Sequence, residues 1–123
     1  MQTEPRQIGK SGESLAADYL RKHGYRILEL NARSRLGEID IVAMDGQTLV
    51  FVEVKTRLSP DYGNPKLAVT PHKQSRLTRV ALAYLKKHHL LHCKARFDVV
   101  AIDWTQGSPQ IELVQNAFEA TRR

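Results

Sequence analysis

Acidic residues and a lysine interrupt two otherwise apolar stretches near the middle of the sequence. Glu38 and Asp40 fall in the first stretch, and Glu53 and Lys55 fall in the second. Carboxylates are oxygen ligands for divalent cations, and a fixed ammonium group stabilises negative charge that develops on a phosphate. These residue types are therefore candidates for a metal-assisted reaction on a phosphate ester.

The two apolar stretches read as β-strands joined by a tight turn. Residues 38–44 and 48–56 are rich in β-branched and aromatic residues, and Asp45-Gly46 between them is a strong hairpin signal. Because side chains alternate along a strand, the two acidic residues of the first strand share a face, as do the acidic residue and the lysine of the second.

The length of the turn decides whether the carboxylates meet. A two-residue loop at Asp45-Gly46 sets Asp40 diagonal to Glu53, a four-residue loop sets them opposite, and a three-residue loop separates them. We expect an even number, which brings Asp40, Glu53 and Lys55 to one pocket. Facing carboxylates repel, and a divalent cation, Mg²⁺ or Mn²⁺, would remove that repulsion. A surface salt bridge remains the alternative.

The other elements indicate a single α/β domain over residues 1–123. The predicted order is helix, three strands, helix and two strands, at residues 8–23, 25–31, 38–44, 48–56, 71–87, 97–104 and 110–114. Thr70 is the expected N-cap of the second helix, with Pro71 in its first turn. A mobile surface loop is expected at about 58–69, where proline and glycine recur without a clear period.

Two charged residues fall on the apolar sides of the predicted helices. Glu13 shares a helical face with Ala16 and Ala17, so it either points toward the sheet or is an exposed first-turn glutamate. Lys73 lies one turn before Leu77 on the apolar stripe of the second helix. It is either an inward-facing base or phosphate contact, or a side chain that reaches solvent.

The surplus positive charge is confined to one segment. The net charge is +6, and residues 71–96 hold seven basic residues and no acidic one, which leaves 12 basic and 13 acidic residues elsewhere. Such a stripe is typical of proteins that bind a polyanion, and nucleic acid is the commonest such partner. A solvated helix face is the alternative. The candidate phosphate contacts are Lys73, Arg76, Arg79, Lys86 and Lys87.

The sequence also argues against several classes of protein. Its longest apolar run has six residues, against about 20 for a membrane span. No stretch of signal-peptide character opens the chain, and Cys93 is a single cysteine, so we expect a cytoplasmic protein. The histidines lack zinc-site spacing, and no phosphate-binding glycine loop is present.

The charged strand pair resembles the D…ExK site of the restriction-endonuclease-like, or PD-(D/E)XK, superfamily. Gly37-Glu38-Ile39-Asp40 and Phe51-Val52-Glu53-Val54-Lys55 carry that resemblance, although Ile39 stands where the motif has proline. More narrowly, Gly9-x-x-Gly12-Glu13-x-x-Ala16 and Asn116-Ala117-Phe118 are similar to the small bacterial YraN family. The resemblance covers nearly the whole chain. It implies a mixed sheet of about five strands flanked by helices, as in archaeal Holliday-junction resolvases.

The resemblance also implies roles for individual residues. Asp40 and Glu53 would be metal ligands, with the Val54 carbonyl as a further ligand. Lys55 would orient the attacking water or stabilise the phosphate, and Glu13 would match the helix carboxylate of resolvase-like members.

The implied function is hydrolysis of nucleic acid, with DNA expected, by a metal-activated water. A non-catalytic nucleic-acid-binding module and an interaction protein with a basic docking helix remain alternatives. The sequence does not distinguish DNA from RNA, or a monomer from a homodimer.

Overall fold

The structure, a computed structural model, describes the backbone of residues 5–58 and 69–120 and the side chains from residue 12 onward. The loop expected at about 58–69 therefore lies, except for Leu58 and Val69, outside the described residues.

Two helices and five strands follow one another in the predicted order along the described chain. They are α1 (Pro5–Lys22), β1 (Arg26–Ser34), β2 (Gly37–Asp45), β3 (Thr48–Arg57), α2 (Pro71–Lys87), β4 (Ala95–Asp103) and β5 (Gln110–Phe118). Neither α1 nor α2, the helices of the described part, has the length and apolar character needed to cross a membrane.

The strands form one mixed sheet in the order β1-β2-β3-β4-β5. All neighbouring pairs are antiparallel except β3 and β4, which are parallel. A parallel pair needs a crossover connection, and α2 lies in that connection. The predicted α/β fold, a mixed five-stranded sheet flanked by two helices, is confirmed.

Each of the five strands is longer than the sequence predicts, and β5 exceeds its predicted length most. β5 continues through Gln115 and Asn116 to Phe118, although the prediction ends at Val114. The two polar side chains are tolerated because β5 is an edge strand and both are exposed.

The turn after β1 falls at residues 35–36, and Gly37 follows with φ +142. A Cβ at Gly37 would lie 3.3 Å from Cγ2 of Val80, so glycine lets this hairpin approach α2 closely.

The hairpin between β2 and β3 turns through Gly46 and Gln47, because Asp45 already pairs with Thr48. Gly46 has φ +61, a conformation that favours glycine in a tight hairpin. The predicted position of the turn is therefore wrong by one residue. The predicted even number of loop residues is confirmed.

The helices cover opposite faces of the sheet and produce two apolar cores. The buried residues of the α2 core are Ala32, Ile39, Val42, Leu49, Phe51, Val69, Leu77, Val80, Ala81, Phe97, Val99, Ala117 and Phe118. Those of the α1 core are Ala16, Ala17, Leu20, Tyr25, Ile41, Ala43, Val50, Val52, Val100 and Ile102. The charged residues of β2 and β3 lie between these cores and the end of the sheet away from the Gly46 turn.

Candidate active site

Asp40 lies where the ladder between β2 and β3 ends. The pairing of the two strands runs as far as Ile41 and Val52, and continuing this register sets Asp40 opposite Glu53. Oδ2 of Asp40 accepts a hydrogen bond of 2.8 Å from the backbone N–H of Val54. The carboxylate thus satisfies a donor just beyond the paired residues and holds Asp40 against the strand that carries Glu53.

The alternation of side chains along β2 breaks at Asp40. Ile39 and Val42 contact the α2 core, whereas Ile41 contacts the α1 core. In a regular strand Ile39 and Ile41 would share one face. Asp40 is therefore half-buried at an irregularity between the two layers, where charges from both helices act on it.

Glu53 is the centre of a cluster of three charged side chains. Nζ of Lys73 lies 2.8 Å from Oε1 of Glu53, and Nζ of Lys55 lies 3.6 Å from the same oxygen. Glu53 is only 8% exposed, and both lysines are half-buried. Lys55 reaches this position because residues two apart along a strand share a face. Convergence of Asp40, Glu53 and Lys55 is thus confirmed as a geometry.

Lys73 is positioned by the start of α2. Oγ1 of Thr70 accepts a hydrogen bond of 3.3 Å from the Lys73 backbone N–H, which is the N-cap expected from the sequence. One turn later Leu77 is buried against the sheet, and this places Lys73 on the inner side of the helix. Of the two alternatives for Lys73, the inward-facing one is correct.

Glu13 approaches the site from the other layer. α1 begins at Pro5, so Glu13 is not in its first turn, and the alternative of an exposed first-turn glutamate is wrong. Glu13 is half-buried, and its charge contributes to the raised pKa of Asp40. The neighbouring Gly12 lets α1 approach β3, since a Cβ there would lie 3.0 Å from Oγ1 of Thr56.

The charges of the cluster shift the pKa values of its members. Burial, followed by the charge of Glu53, raises the pKa of Asp40 to about 7. Burial lowers the pKa of Lys55, and the neighbouring Lys73 lowers it further. Burial also opposes the charge on Lys73, but its ion pair with Glu53 outweighs this and raises its pKa. Burial and the charge of Glu53 therefore both disfavour the ionised form of Asp40.

The oxygen atoms of the cluster fit a divalent cation of the Mg²⁺ type. Within residues 12–58 and 69–120, Oδ1 of Asp40 and Oε2 of Glu53 accept no hydrogen bond. The same residues hold no group of three or more His, Cys, Asp or Glu side chains arranged for a metal. Mg²⁺ often uses only one or two carboxylates and keeps several waters, so a two-carboxylate set with the Val54 carbonyl suits it.

The remaining basic residues of α2 lie on its solvent side. Arg76, Arg79, Lys86 and Lys87 are exposed, in contrast to the half-buried Lys73. Arg76 also lies beside the turn after β1, because its Cδ would be 4.0 Å from a Cβ at Gly37. The structure thus separates the five candidate phosphate contacts into one residue of the charged cluster and four residues of an exposed face.

A buried network around Asp98 escaped the sequence analysis. Asp98 is fully buried and accepts hydrogen bonds from Nε of Arg96 at 3.0 Å, the Tyr25 hydroxyl at 2.9 Å and the Asn116 backbone N–H at 2.9 Å. Arg96 also pairs with Asp45 at 2.7 Å. Arg96 and Asp98 lie two residues apart on the same strand, β4.

The signal for that network was an aspartate within an apolar strand. Asp98 points to the α1 side of the sheet, while its neighbours Phe97 and Val99 belong to the α2 core. The network therefore joins Tyr25, which precedes β1, to β2, β4 and β5, and its bonds are those of a structural element. For Lys73, the sequence signal of its inward position is its place one turn before the apolar Leu77 on α2.

The chain matches one protein family over most of its length. Residues 12–102 match the family described as "Uncharacterised protein family UPF0102". A UPF0102 protein of Geobacter metallireducens is 54% identical over 119 residues, which cover 97% of this chain and 98% of that one. A UPF0102 protein of Syntrophus aciditrophicus is 53% identical over 117 residues, covering 95% of this chain and 92% of that one.

Among solved structures, the chain is similar to SfsA of Pyrococcus furiosus in complex with Ca²⁺. The TM-score is 0.39 and the sequence identity 15%, with 91% of this chain covered. This chain spans 64% of the length of that one.

The matches at about half identity run from the N-terminal helix through the last strand. They include Glu13, Asp40, Glu53, Lys55 and Lys73 within one aligned length. The resemblance to the small bacterial YraN family is confirmed, and the chain belongs to the UPF0102 family.

Proposed function

We propose that the protein is a metal-dependent nuclease that hydrolyses phosphodiester bonds of nucleic acid, with DNA as the expected substrate and the cytoplasm as its location. The observation that carries the proposal is the place of Asp40 opposite Glu53, just beyond the last pair of the ladder, with Lys55 on the same side. Burial and then the charge of Glu53 raise the pKa of Asp40 to about 7, and a divalent cation would offset the repulsion between the two carboxylates.

Asp40, Glu53 and the Val54 carbonyl would hold the cation. A bound Mg²⁺ or Mn²⁺ would supply a Lewis acid that lowers the pKa of a water and neutralises charge on the phosphate. The protein contributes the positions of the oxygens: the Val54 N–H fixes Asp40, and burial holds Glu53 in one place.

Lys55 is the group that would contact the reacting phosphate. Its ammonium lies 3.6 Å from Glu53 and is half-buried, so it offers a positive charge in a region of reduced dielectric. Because the charge is fixed before the substrate arrives, little reorganisation is needed when negative charge develops on the phosphate oxygens.

The face of the sheet that carries Lys55 also borders a cavity that would take part of a nucleic-acid strand. Lys55 pairs across the sheet with Ala101, which in turn pairs with Glu112, and all three share one face. A cavity of about 260 Å³ is lined there by Arg57, Ala101 and Glu112 among others. The exposed basic side chains of α2 lie on the same side of the sheet and would contact the phosphates of that strand.

One observation favours the alternative of a non-catalytic nucleic-acid-binding module. Glu53 is already paired with two ammonium groups, so part of its charge is balanced without a cation. A binding module would keep this arrangement as a structural ion pair and would bind nucleic acid through the exposed face of α2.

The experiment that separates the two functions is a cleavage assay on several substrates. The purified protein is incubated with labelled linear, flap and four-way-junction DNA, and with RNA, in Mg²⁺, in Mn²⁺ and in EDTA. A nuclease cleaves at least one substrate in metal and none in EDTA. Salt-dependent binding without any cleavage would establish the binding module instead.

A further inference from the structure

Two ammonium groups share one carboxylate oxygen at the centre of the cluster. Lys73 makes the shorter contact with Oε1 of Glu53, at 2.8 Å against 3.6 Å for Lys55. Lys55 reaches Glu53 from the same strand, whereas Lys73 reaches it from α2. The shorter of the two contacts of Glu53 Oε1 is therefore made by Lys73, a side chain of the helix layer.

The contact between Lys73 and Glu53 competes with a cation for the same oxygen. A divalent cation bound at this carboxylate would face the ammonium group at a distance on the order of 5 Å, and like charges so close in a partly buried site repel strongly. Occupation of the carboxylate by a cation therefore favours release of the Lys73 side chain.

Release requires movement of the side chain alone. The Lys73 backbone is held by the Thr70 cap, and the flexible four-carbon stem carries the ammonium group. The ammonium groups of Lys55 and Lys73 both lie next to Oε1 of Glu53. Once a substrate is present, the nearest negative charge for a released Lys73 is therefore the phosphate that Lys55 would contact. A released Lys73 thus stays within reach of the same phosphate.

We propose that Lys73 is a second catalytic cation of this site, which holds Oε1 of Glu53 in the metal-free protein and exchanges it for the scissile phosphate when a divalent cation binds. This inference rests on the proposed nuclease function. It adds a second positive charge to that of Lys55. In the metal-free protein the lysines neutralise the carboxylates, whereas the metal-bound site is electropositive. No covalent bond forms or breaks in the exchange.

A purely structural ion pair predicts a different behaviour for the same contact. In that case Lys73 only stabilises the fold, and its removal lowers the melting temperature without changing metal affinity in the folded protein. The exchange instead predicts opposite effects on metal binding and on catalysis, which a structural role does not produce.

The first arm of the test measures metal binding without nucleic acid. The Mn²⁺ dissociation constant of the parent, Lys73→Gln and Arg76→Gln is measured by electron paramagnetic resonance of free Mn²⁺. We expect Lys73→Gln to bind Mn²⁺ about tenfold more tightly, because the closer of the two ammonium groups that compete for Glu53 is removed. Arg76→Gln removes the same charge from the exposed side of α2 one turn later, and it should change the affinity by less than about twofold.

The second arm measures single-turnover cleavage at saturating metal. Lys73→Gln should cleave about a hundredfold more slowly than the parent, since one preorganised charge on the phosphate is lost. Lys73→Arg keeps a cation at this position and should recover most of that rate. Melting temperatures of all variants show whether each is folded.

The outcomes separate this inference from the nuclease proposal itself. If the parent cleaves but Lys73→Gln has the parent's Mn²⁺ affinity, or the parent's rate, the exchange is wrong and the nuclease function stands. If the parent cleaves nothing while Lys73→Gln gains Mn²⁺ affinity, the competition for Glu53 stands and the catalytic role of Lys73 fails with the nuclease. If neither protein binds Mn²⁺, both proposals are overturned.

Discussion

Oδ2 of Asp40 accepts a 2.8 Å hydrogen bond from the backbone N–H of Val54, the residue between Glu53 and Lys55. One candidate ligand therefore fixes the backbone that carries the other ligand and the lysine. The same contact explains why the ladder between β2 and β3 ends without an unpaired donor at this point. The Asp40 carboxylate thus both contributes a negative charge to the site and holds the end of β2 against β3.

The raised pKa of Asp40 predicts a stability penalty in the metal-free protein. The folded-state pKa of about 7 lies above the reference of 3.8, so between these values the folded protein binds more protons than the unfolded one. The stability that this group contributes is complete below about pH 4 and is lost as pH rises through 7. We expect Asp40→Asn in EDTA to be more stable than the parent at pH 8, by on the order of 1 to 4 kcal/mol.

Urea unfolding at pH 5 and pH 8 measures this difference. Asp40→Ala is the matched control, because it removes the acceptor of the Val54 N–H as well as the charge and should gain less than Asp40→Asn at pH 8. Equal stability of Asp40→Asn and the parent at both pH values would show that Asp40 is not destabilised by its neighbours.

The hairpin between β2 and β3 shows how much of the site can be predicted from the sequence. The Asp-Gly signal places the turn to within one residue, and the alternation of side chains then brings Asp40 and Glu53 together for any even loop. The actual turn, Gly46-Gln47, could not be chosen from the sequence, because a shift of the turn by one residue preserves the parity on which the prediction depends.

Contacts between the helices and the sheet are harder to predict from the sequence than the strand pairing. Helical spacing places Lys73 on the inner side of α2, but a flexible side chain at that position also reaches solvent, and only packing against the sheet decides between the two. Tyr25, which precedes β1, and Asn116 of β5 are partners of Asp98 in β4, and contacts across such distances in the chain have no local signature. The sequence alone therefore predicts neither the ion pair of Lys73 with Glu53 nor the partners of Asp98, because both depend on contacts between distant parts of the chain.

The exposed face of α2 predicts a salt-dependent interaction with nucleic acid. Arg76→Ala with Arg79→Ala should weaken binding to every DNA sequence alike, because phosphates rather than bases are contacted. The slope of log affinity against log salt should flatten by about 0.9 for each lost phosphate contact on duplex DNA. Fluorescence anisotropy at several salt concentrations gives both quantities.

Arg21→Ala is the control for that experiment. Arg21 is an exposed basic residue near the end of α1, which covers the opposite face of the sheet, and its loss should leave the slope unchanged. A double variant of α2 with the parent's slope would mean that its basic face is only solvated.

The Asp98 network predicts a stability effect that is independent of the candidate site. Asp98→Ala leaves the Tyr25 hydroxyl and the Asn116 N–H without their acceptor and removes a buried partner of Arg96. The expected loss is about 3 to 5 kcal/mol in the free energy of unfolding.

An exposed ion pair gives the comparison for Asp98→Ala. Arg33 and Glu38 lie 3.3 Å apart with side chains 79% and 46% exposed, so Arg33→Ala should cost less than about 1 kcal/mol. Both losses are measured by urea unfolding. Similar small losses for the two variants would show that the buried network is not a major source of stability.

Single-turnover cleavage by Glu53→Gln tests the nuclease proposal most directly. The change keeps the shape of the side chain and removes the charge that a divalent cation needs, while binding of nucleic acid in EDTA reports whether the protein still engages its substrate. We predict that the parent cleaves DNA in Mg²⁺ or Mn²⁺, that Glu53→Gln and Lys55→Ala each cleave at least a hundredfold more slowly, and that binding in EDTA is retained. A parent that cleaves no nucleic acid in either metal, or a Glu53→Gln variant as fast as the parent, would contradict the proposal.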